Sequence, residues 1–327
     1  MSSNGYSQPS VPSHRPEPGI WSGSAWYGPH AYFQPRPRHR YWLHALLLLL
    51  TVLTTTIVGA GMAGDFAHNR PVDFNGTLYG YVRMWHDPGY LLAGLPFALC
   101  LLTILTAHEM GHFLAARHYR VDVTLPFFLP APTLIGTLGA FIRIRSAVPT
   151  KRAMFDIGIA GPLAGFVALL VPLVAGVSMS KVIPGIAEKG DLIFGTPLML
   201  RAVEWLLFPG VSPADLYLHP VARAAWAGLL ATALNLLPIG QLDGGHILYT
   251  IVGERMKLLS YIFIAALIPL GIFFAYSWLV WAALLFFIAR RHPFIPDDRR
   301  LDPARRRLAW VALAILILSF TPAPVRT

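Results

Sequence analysis

Residues 108–112 read HEMGH. Side chains four apart share one face of a helix, so His108 and His112 can ligate a single Zn²⁺ while Glu109 serves as general base for a water. Independent counting gives about 0.007 accidental matches to HExxH in a chain of this length and composition. Glu109 is one of only five glutamates and stands near the end of an apolar run, where ionisable groups are costly and read as functional. Two histidines are too few for zinc that does chemistry, which needs three protein ligands and one open position. The candidate third ligand is Asp243, in NLLPIGQLDGGH at 235–246. Glycines after it let backbone approach closely, and Pro238 must end the preceding helix at membrane depth. A turn aspartate at a helix N-cap is the competing reading. The upstream HExxH, with Asn235 eight residues before Asp243, favours the ligand. His246 ranks below Asp243, as a rival ligand or an outer partner.

The elements that must hold these groups are membrane spans. Of the 327 residues, 55% are hydrophobic and 13% charged, and the mean hydropathy is +0.55. Soluble domains carry about 25% charged residues, so an ordinary soluble globule is excluded. The single cysteine, Cys100, excludes a disulfide framework and a Cys-rich metal site. A net charge of +10 would suggest nucleic acid in a soluble protein; here it marks loops on one side of a membrane, and no nucleic-acid partner is expected.

Residues 1–40 are Pro-rich and without apolar period, and read as a disordered cytoplasmic tail. Apolar runs follow at 43–61, 90–116, 154–177, 222–239, 258–289 and 308–320. Splitting 258–289 into two helices joined near 275–277 makes the loops alternate, with nineteen Lys and Arg inside and six outside. The expected fold class is therefore an all-α polytopic membrane protein of six transmembrane helices. The 308–320 run is a short seventh that either crosses or lies in the interface; with the basic loop before it, it makes up a C-terminal segment at 291–327. His108 lies about 27 Å along a helix that enters from outside at residue 90, which puts the candidate site toward the inside. Asp243 follows the inward end of its own span and reaches the same depth.

The sequence resembles the site-2 protease family of intramembrane zinc metalloproteases. The resemblance rests on HEMGH, GTLGAFIRIRS at 136–146, DIGIAGPLAGF at 156–166 and NLLPIGQLDGGH, in that order over roughly residues 90–255. It is most like the branch with cyanobacterial and chloroplast members that lack PDZ and CBS domains. The resemblance implies a metalloprotease domain over 41–290 that cleaves single-span membrane proteins within the lipid bilayer. It implies one zinc held by His108, His112 and Asp243, a water activated by Glu109, and a substrate peptide held by Asn235. It also implies a small membrane-embedded β-hairpin at 136–146 beside the site. The residues there agree: Phe141, Ile142 and Ile144 mix with Arg143 and Arg145 in strand-like alternation, and a free edge could accept a substrate by strand addition. Location in a bacterial inner membrane with a cytoplasmic N-terminus is implied as well.

Gly165 departs from the pattern, because many members carry Asn there and a substrate-contacting group would be missing. Asp156 reads as an N-cap or packing group rather than a catalyst. Two other functions compete. A non-catalytic binder of membrane clients would have no need of Glu109. A metal or proton transporter would be expected to show an internal repeat, and none is visible. Nothing in the sequence fixes an oligomeric state.

Overall fold

The computed structural model describes residues 40–72, 74–186, 189–289, 295, 297 and 299–326. The expected disordered tail thus lies outside the described residues, save Arg40, as do residues 290–294, 296 and 298 of the basic loop. Four helical stretches among the described residues are long and apolar enough to cross a membrane: Tyr41–Ala67, Pro88–His118, Lys151–Ser178 and Asp243–Phe273. The chain is an integral membrane protein.

The first stretch is helix α1 (Tyr41–Ala67). After the short α2 (Phe74–His86), a 3-10 turn at Pro88–Gly94 leads into α3 (Leu95–His118), with Pro96 in its first turn where no amide is needed. Helix α4 (Lys151–Ser178) starts at Thr150, whose hydroxyl accepts from the Ala153 amide at 3.1 Å. The cap is therefore Thr150 and not Asp156. Helix α5 (Leu198–Leu207) is short, and α6 (Pro220–Leu236) follows. Helix α6 has 17 residues, about 25 Å at 1.5 Å per residue, fewer than the expected 222–239 span. Pro238 and the extended backbone at Leu237 stop it. It is buried along almost its whole length against α3 and α4, so it needs no lipid-facing surface.

Beyond α6 come α7 (Asp243–Val252), a 3-10 turn at Gly253–Arg255, α8 (Met256–Phe273) and α9 (Ser277–Ala289). The 258–289 run does break into two helices, between Phe273 and Ser277, next to the junction that the charge pattern picks out. Helix α10 (Pro303–Ser319) is capped by Asp302 and packs on α4, α5 and α6. Its first turn lies against Asp156 near the start of α4, and the chain beyond it reaches the loop that follows α4.

Strands β1 (Phe127–Pro130) and β2 (Thr137–Phe141) pair antiparallel, with Phe127 opposite Phe141. The expected hairpin segment at 136–146 supplies only one of the two strands; its later part adds an isolated bridge between Ile144 and Val123. Helix α1 holds this sheet. The Thr54 hydroxyl donates to the Gly136 carbonyl at 2.6 Å, and the His44 ring stacks on Phe127 at 4.0 Å. Two further pairs, β3 (Lys181–Val182) with β5 (Leu216–Tyr217) and β4 (Ile193–Phe194) with β6 (Val325–Arg326), tie the 179–219 loop to itself and to the end of α10. The main core lies where α3, α4 and α6 meet, around Leu101, Ile104, Leu169, Leu173, Trp226 and Leu229.

Candidate metal centre

Helix α3 carries His108 and His112 one turn apart on its buried face, 5% and 6% exposed, with their Nε2 atoms 3.1 Å apart. Asp243 arrives from 131 residues further along the chain. After α6 ends, two tight backbone bonds, Ile239 N–H to Leu237 at 2.7 Å and Leu242 N–H to Ile239 at 3.1 Å, fold the chain back. Leu242 becomes the N-cap of α7 and Asp243 its first helical residue. The Asp243 side chain does not cap the helix. Its Oδ2 lies 3.2 Å from Nε2 of both histidines. These three ligand atoms lie within 4.8 Å of one another, and among the described residues they form the group that could hold a metal ion.

The donor set fits a cation. His112 Nδ1 lies 2.7 Å from the Ile157 carbonyl, which can only accept, so that nitrogen carries the proton. In the neutral ring, Nε2 then presents a lone pair toward Asp243 Oδ2 and the second imidazole. Lone pairs facing a carboxylate at 3.2 Å repel, so either a proton on Nε2 or a cation held by both groups satisfies this contact. Two nitrogens and one oxygen match the ligand types of zinc.

Helix α4 makes room for both rings. A Cβ on Gly161 would fall 2.1 Å from His112 Nε2, and one on Gly165 would fall 3.1 Å from His108 Cβ and Nδ1. Gly165 therefore lies against a ligand. Its lack of a side chain leaves space for the His108 ring.

Glu109 is 4% exposed and faces the Ile142 amide just past β2. Asn235, on the last turn of α6, places Nδ2 3.2 Å from His108 Nε2. All five candidate residues thus meet in one place. Two cavities open on it. The larger, about 630 Å³, is mainly apolar and runs between α3, α6, β2 and α9, past Leu101, Leu138, Ala231 and Trp281, to His108 and Glu109. The smaller, about 220 Å³, reaches the same residues past Phe141, Ile144, Gln241 and His246. His246 stays outside the ligand group.

Sequence reasoning missed the Ile157 carbonyl, which no side chain advertises. It also missed the role of the glycines, although the four-residue spacing of Gly161 and Gly165 was a legible sign of close helix contact. Asp156 stands apart from the ligands, ion-paired with Arg305.

An HExxH helix closed by an aspartate from a second helix, buried among membrane-length helices, defines a membrane-embedded protein with a metal centre of the zincin type. Residues 96–277, more than half of the chain, match the model of peptidase family M50, and the chain belongs to that family. The probable zinc metalloprotease EGY1, chloroplastic, of Oryza sativa subsp. japonica is 34% identical over 306 residues, which cover 86% of this chain and 51% of that protein. The protein of the same name from Arabidopsis thaliana is 33% identical over 309 residues, covering 86% and 53%. This chain spans about half the length of those relatives. Among solved structures, the site-2 protease from Methanocaldococcus jannaschii is 17% identical, covers 64% of this chain and 82% of its own, and superposes with a TM-score of 0.36.

Proposed function

We propose that this chain is a zinc endopeptidase that cuts single-span membrane proteins within the bilayer, as in regulated intramembrane proteolysis. The observation that carries the reading is the meeting of His108, His112, Asp243 and Glu109, with His108 and Glu109 lining the end of an apolar cavity of about 630 Å³. His108, His112 and Asp243 would hold the zinc, which when bound polarises a carbonyl and lowers the pKa of water. Glu109 takes the proton of the attacking water and hands it to the leaving amine. Burial among Leu105, Ile142 and the histidines keeps bulk water away from that carboxylate. The Asn235 amide donates to the substrate carbonyl and keeps it beside His108.

A transmembrane helix has its amides internally bonded and must unwind before attack. Residues Thr137 to Ala140 of β2 line the larger cavity, and an unwound segment there gains main-chain bonds by adding to the strand edge. The wall from Leu101 to His108 is about 10 Å of helix, room for about three extended residues. In this reading the Arg-rich loops face the cytoplasm, as the positive-inside rule favours, so the N-terminus and the site lie toward that side and cleavage releases a cytoplasmic fragment.

The test compares detergent-purified protein with a Glu109→Gln variant. Zinc content is measured in both, and both are incubated with a panel of single-span substrates. One zinc in each, with cleavage by the unaltered chain alone and its loss to a chelator, is the expected result. No zinc in either removes the metal assignment. Equal cleavage by both removes Glu109 from the reaction.

A further inference from the structure

Helix α10 lies outside residues 96–277 that match the family model. Its first turn nevertheless joins α3, which carries both histidines, to α4, which packs against them. Arg305 Nε donates to Asp156 Oδ1 at 2.8 Å, and its Nη2 donates to Asp156 Oδ2, a two-pronged pairing that fixes both groups in one plane. The same Nη2 lies 3.3 Å from the Tyr119 hydroxyl, and that hydroxyl itself donates to Asp156. Nη1 pairs with Asp302, the N-cap of α10, which aims the guanidinium. Tyr119 is the C-cap of α3, seven residues past His112. Asp156 immediately precedes Ile157, whose carbonyl accepts from His112 Nδ1 at 2.7 Å. One guanidinium thus ties the end of α3 to the second turn of α4, next to the carbonyl that aims a ligand.

We propose that Arg305 is a positioning residue of the metal centre: through Asp156 it holds α4 in register with α3, so that the Ile157 carbonyl keeps the His112 ring aimed at the metal. The inference rests on the reading of His108, His112 and Asp243 as ligands. A merely structural ion pair predicts something different. Arg305 and Asp156 are 23% and 25% exposed, so solvent partly screens the pair; its two-pronged geometry still adds some stability, which metal-free unfolding measures separately. Ligand geometry is less forgiving, since metal–ligand distances hold to about 0.2 Å and loss of an outer partner costs about tenfold to a hundredfold in affinity. Removing Arg305 should therefore weaken metal binding far more than it weakens the fold.

The experiment uses the full chain with Arg305→Met, Arg305→Lys and Asp156→Asn. Zinc affinity is read by competition with a chromophoric chelator, ligand geometry by the visible absorption of the Co²⁺-substituted protein, and the fold by thermal unfolding of the metal-free chains. Arg305→Met and Asp156→Asn should each weaken zinc binding about tenfold or more and alter the cobalt spectrum, while metal-free unfolding stays near that of the unaltered chain. Arg305→Lys, which keeps one charged donor, should fall between. Unchanged affinity and spectrum in Arg305→Met overturn the proposal. So does a loss of affinity that only tracks metal-free unfolding and that Arg305→Lys does not relieve. An unaltered chain that binds neither metal overturns the ligand assignment itself, a different result from a variant that binds as well as its parent.

Discussion

Gly161→Ala adds one methyl group to the middle of α4, and the structure states what it meets. The new Cβ would lie 2.1 Å from His112 Nε2, 2.4 Å from Cδ2 and 2.5 Å from Cε1. Ordinary contact begins at 3.4 Å, so the ring must retreat by roughly 1.3 Å, or α4 must move off α3 by as much. Either movement pulls on the His112 Nδ1 bond to Ile157, 2.7 Å long. It also exceeds the ~0.2 Å tolerance of a metal–ligand bond several-fold, so one of three ligands is lost. Alanine meanwhile improves helix propensity by about 1 kcal/mol over glycine, so the helix itself is not weakened. The expected outcome is a fall in zinc affinity of about a hundredfold or more in a chain that still folds. Chelator competition and thermal unfolding, each with and without zinc, measure the two effects separately. Gly158→Ala is the control: it lies on the same helix, its Cβ meets nothing nearer than 3.4 Å, and it should bind zinc as the unaltered chain does. A Gly161→Ala chain with one zinc at unchanged affinity would refute the packing argument.

Glu109→Gln should keep the metal and lower the rate of cleavage by about 10²- to 10⁴-fold, read as turnover at saturating substrate; a smaller loss means the proton moves elsewhere. Ala231→Phe places a ring in the 630 Å³ cavity and should depress kcat/KM for transmembrane substrates while zinc content is unchanged; equal cleavage would exclude that cavity as the substrate path. Glu204, on α5, is 7% exposed and its Oε2 has no hydrogen-bond partner; burial pushes its carboxyl up to about 7 against the opposing pull of Arg201. Because the folded value lies above the ordinary 4.5, stability is fully present below that pH and is lost as pH rises through about 7. Glu204→Gln should therefore add about 3 kcal/mol at pH 8, at about 1.36 kcal/mol per unit, and almost nothing at pH 4; a difference in Tm that fails to widen with pH contradicts it.

Much of the candidate site was legible because its signals are local. HExxH works through the four-residue repeat of a helix, which any single stretch of chain contains. Apolar runs announce membrane helices because about 30 Å of hydrocarbon demands length and composition together. Pro238 and the glycines after it mark the turn that returns Asp243, since proline disfavours helix and glycine permits tight turns, although Pro162 and Pro172 are carried inside α4. The break near residue 275 followed from charge alone. The seventh run was harder: residue count gave no partners for α10, and only the structure shows β6 pairing with β4 and α10 packing on α4 and α6.

What the sequence by itself determined, then, was the long apolar helices and the identity of the reactive groups, each encoded in neighbouring residues; the short α2 and α5 carry no such signal. Tertiary structure supplied the contacts themselves and the partners that the sequence did not name. Asp243 reaches His112 across 131 residues and Arg305 reaches Asp156 across 149. Their charges read equally well as loop residues under the positive-inside rule. Ile157 contributes through a backbone carbonyl that every residue possesses, and Gly165 through the side chain it lacks. Such roles arise from the approach of one helix to another, and that approach depends on close packing of surfaces that no short stretch of sequence contains.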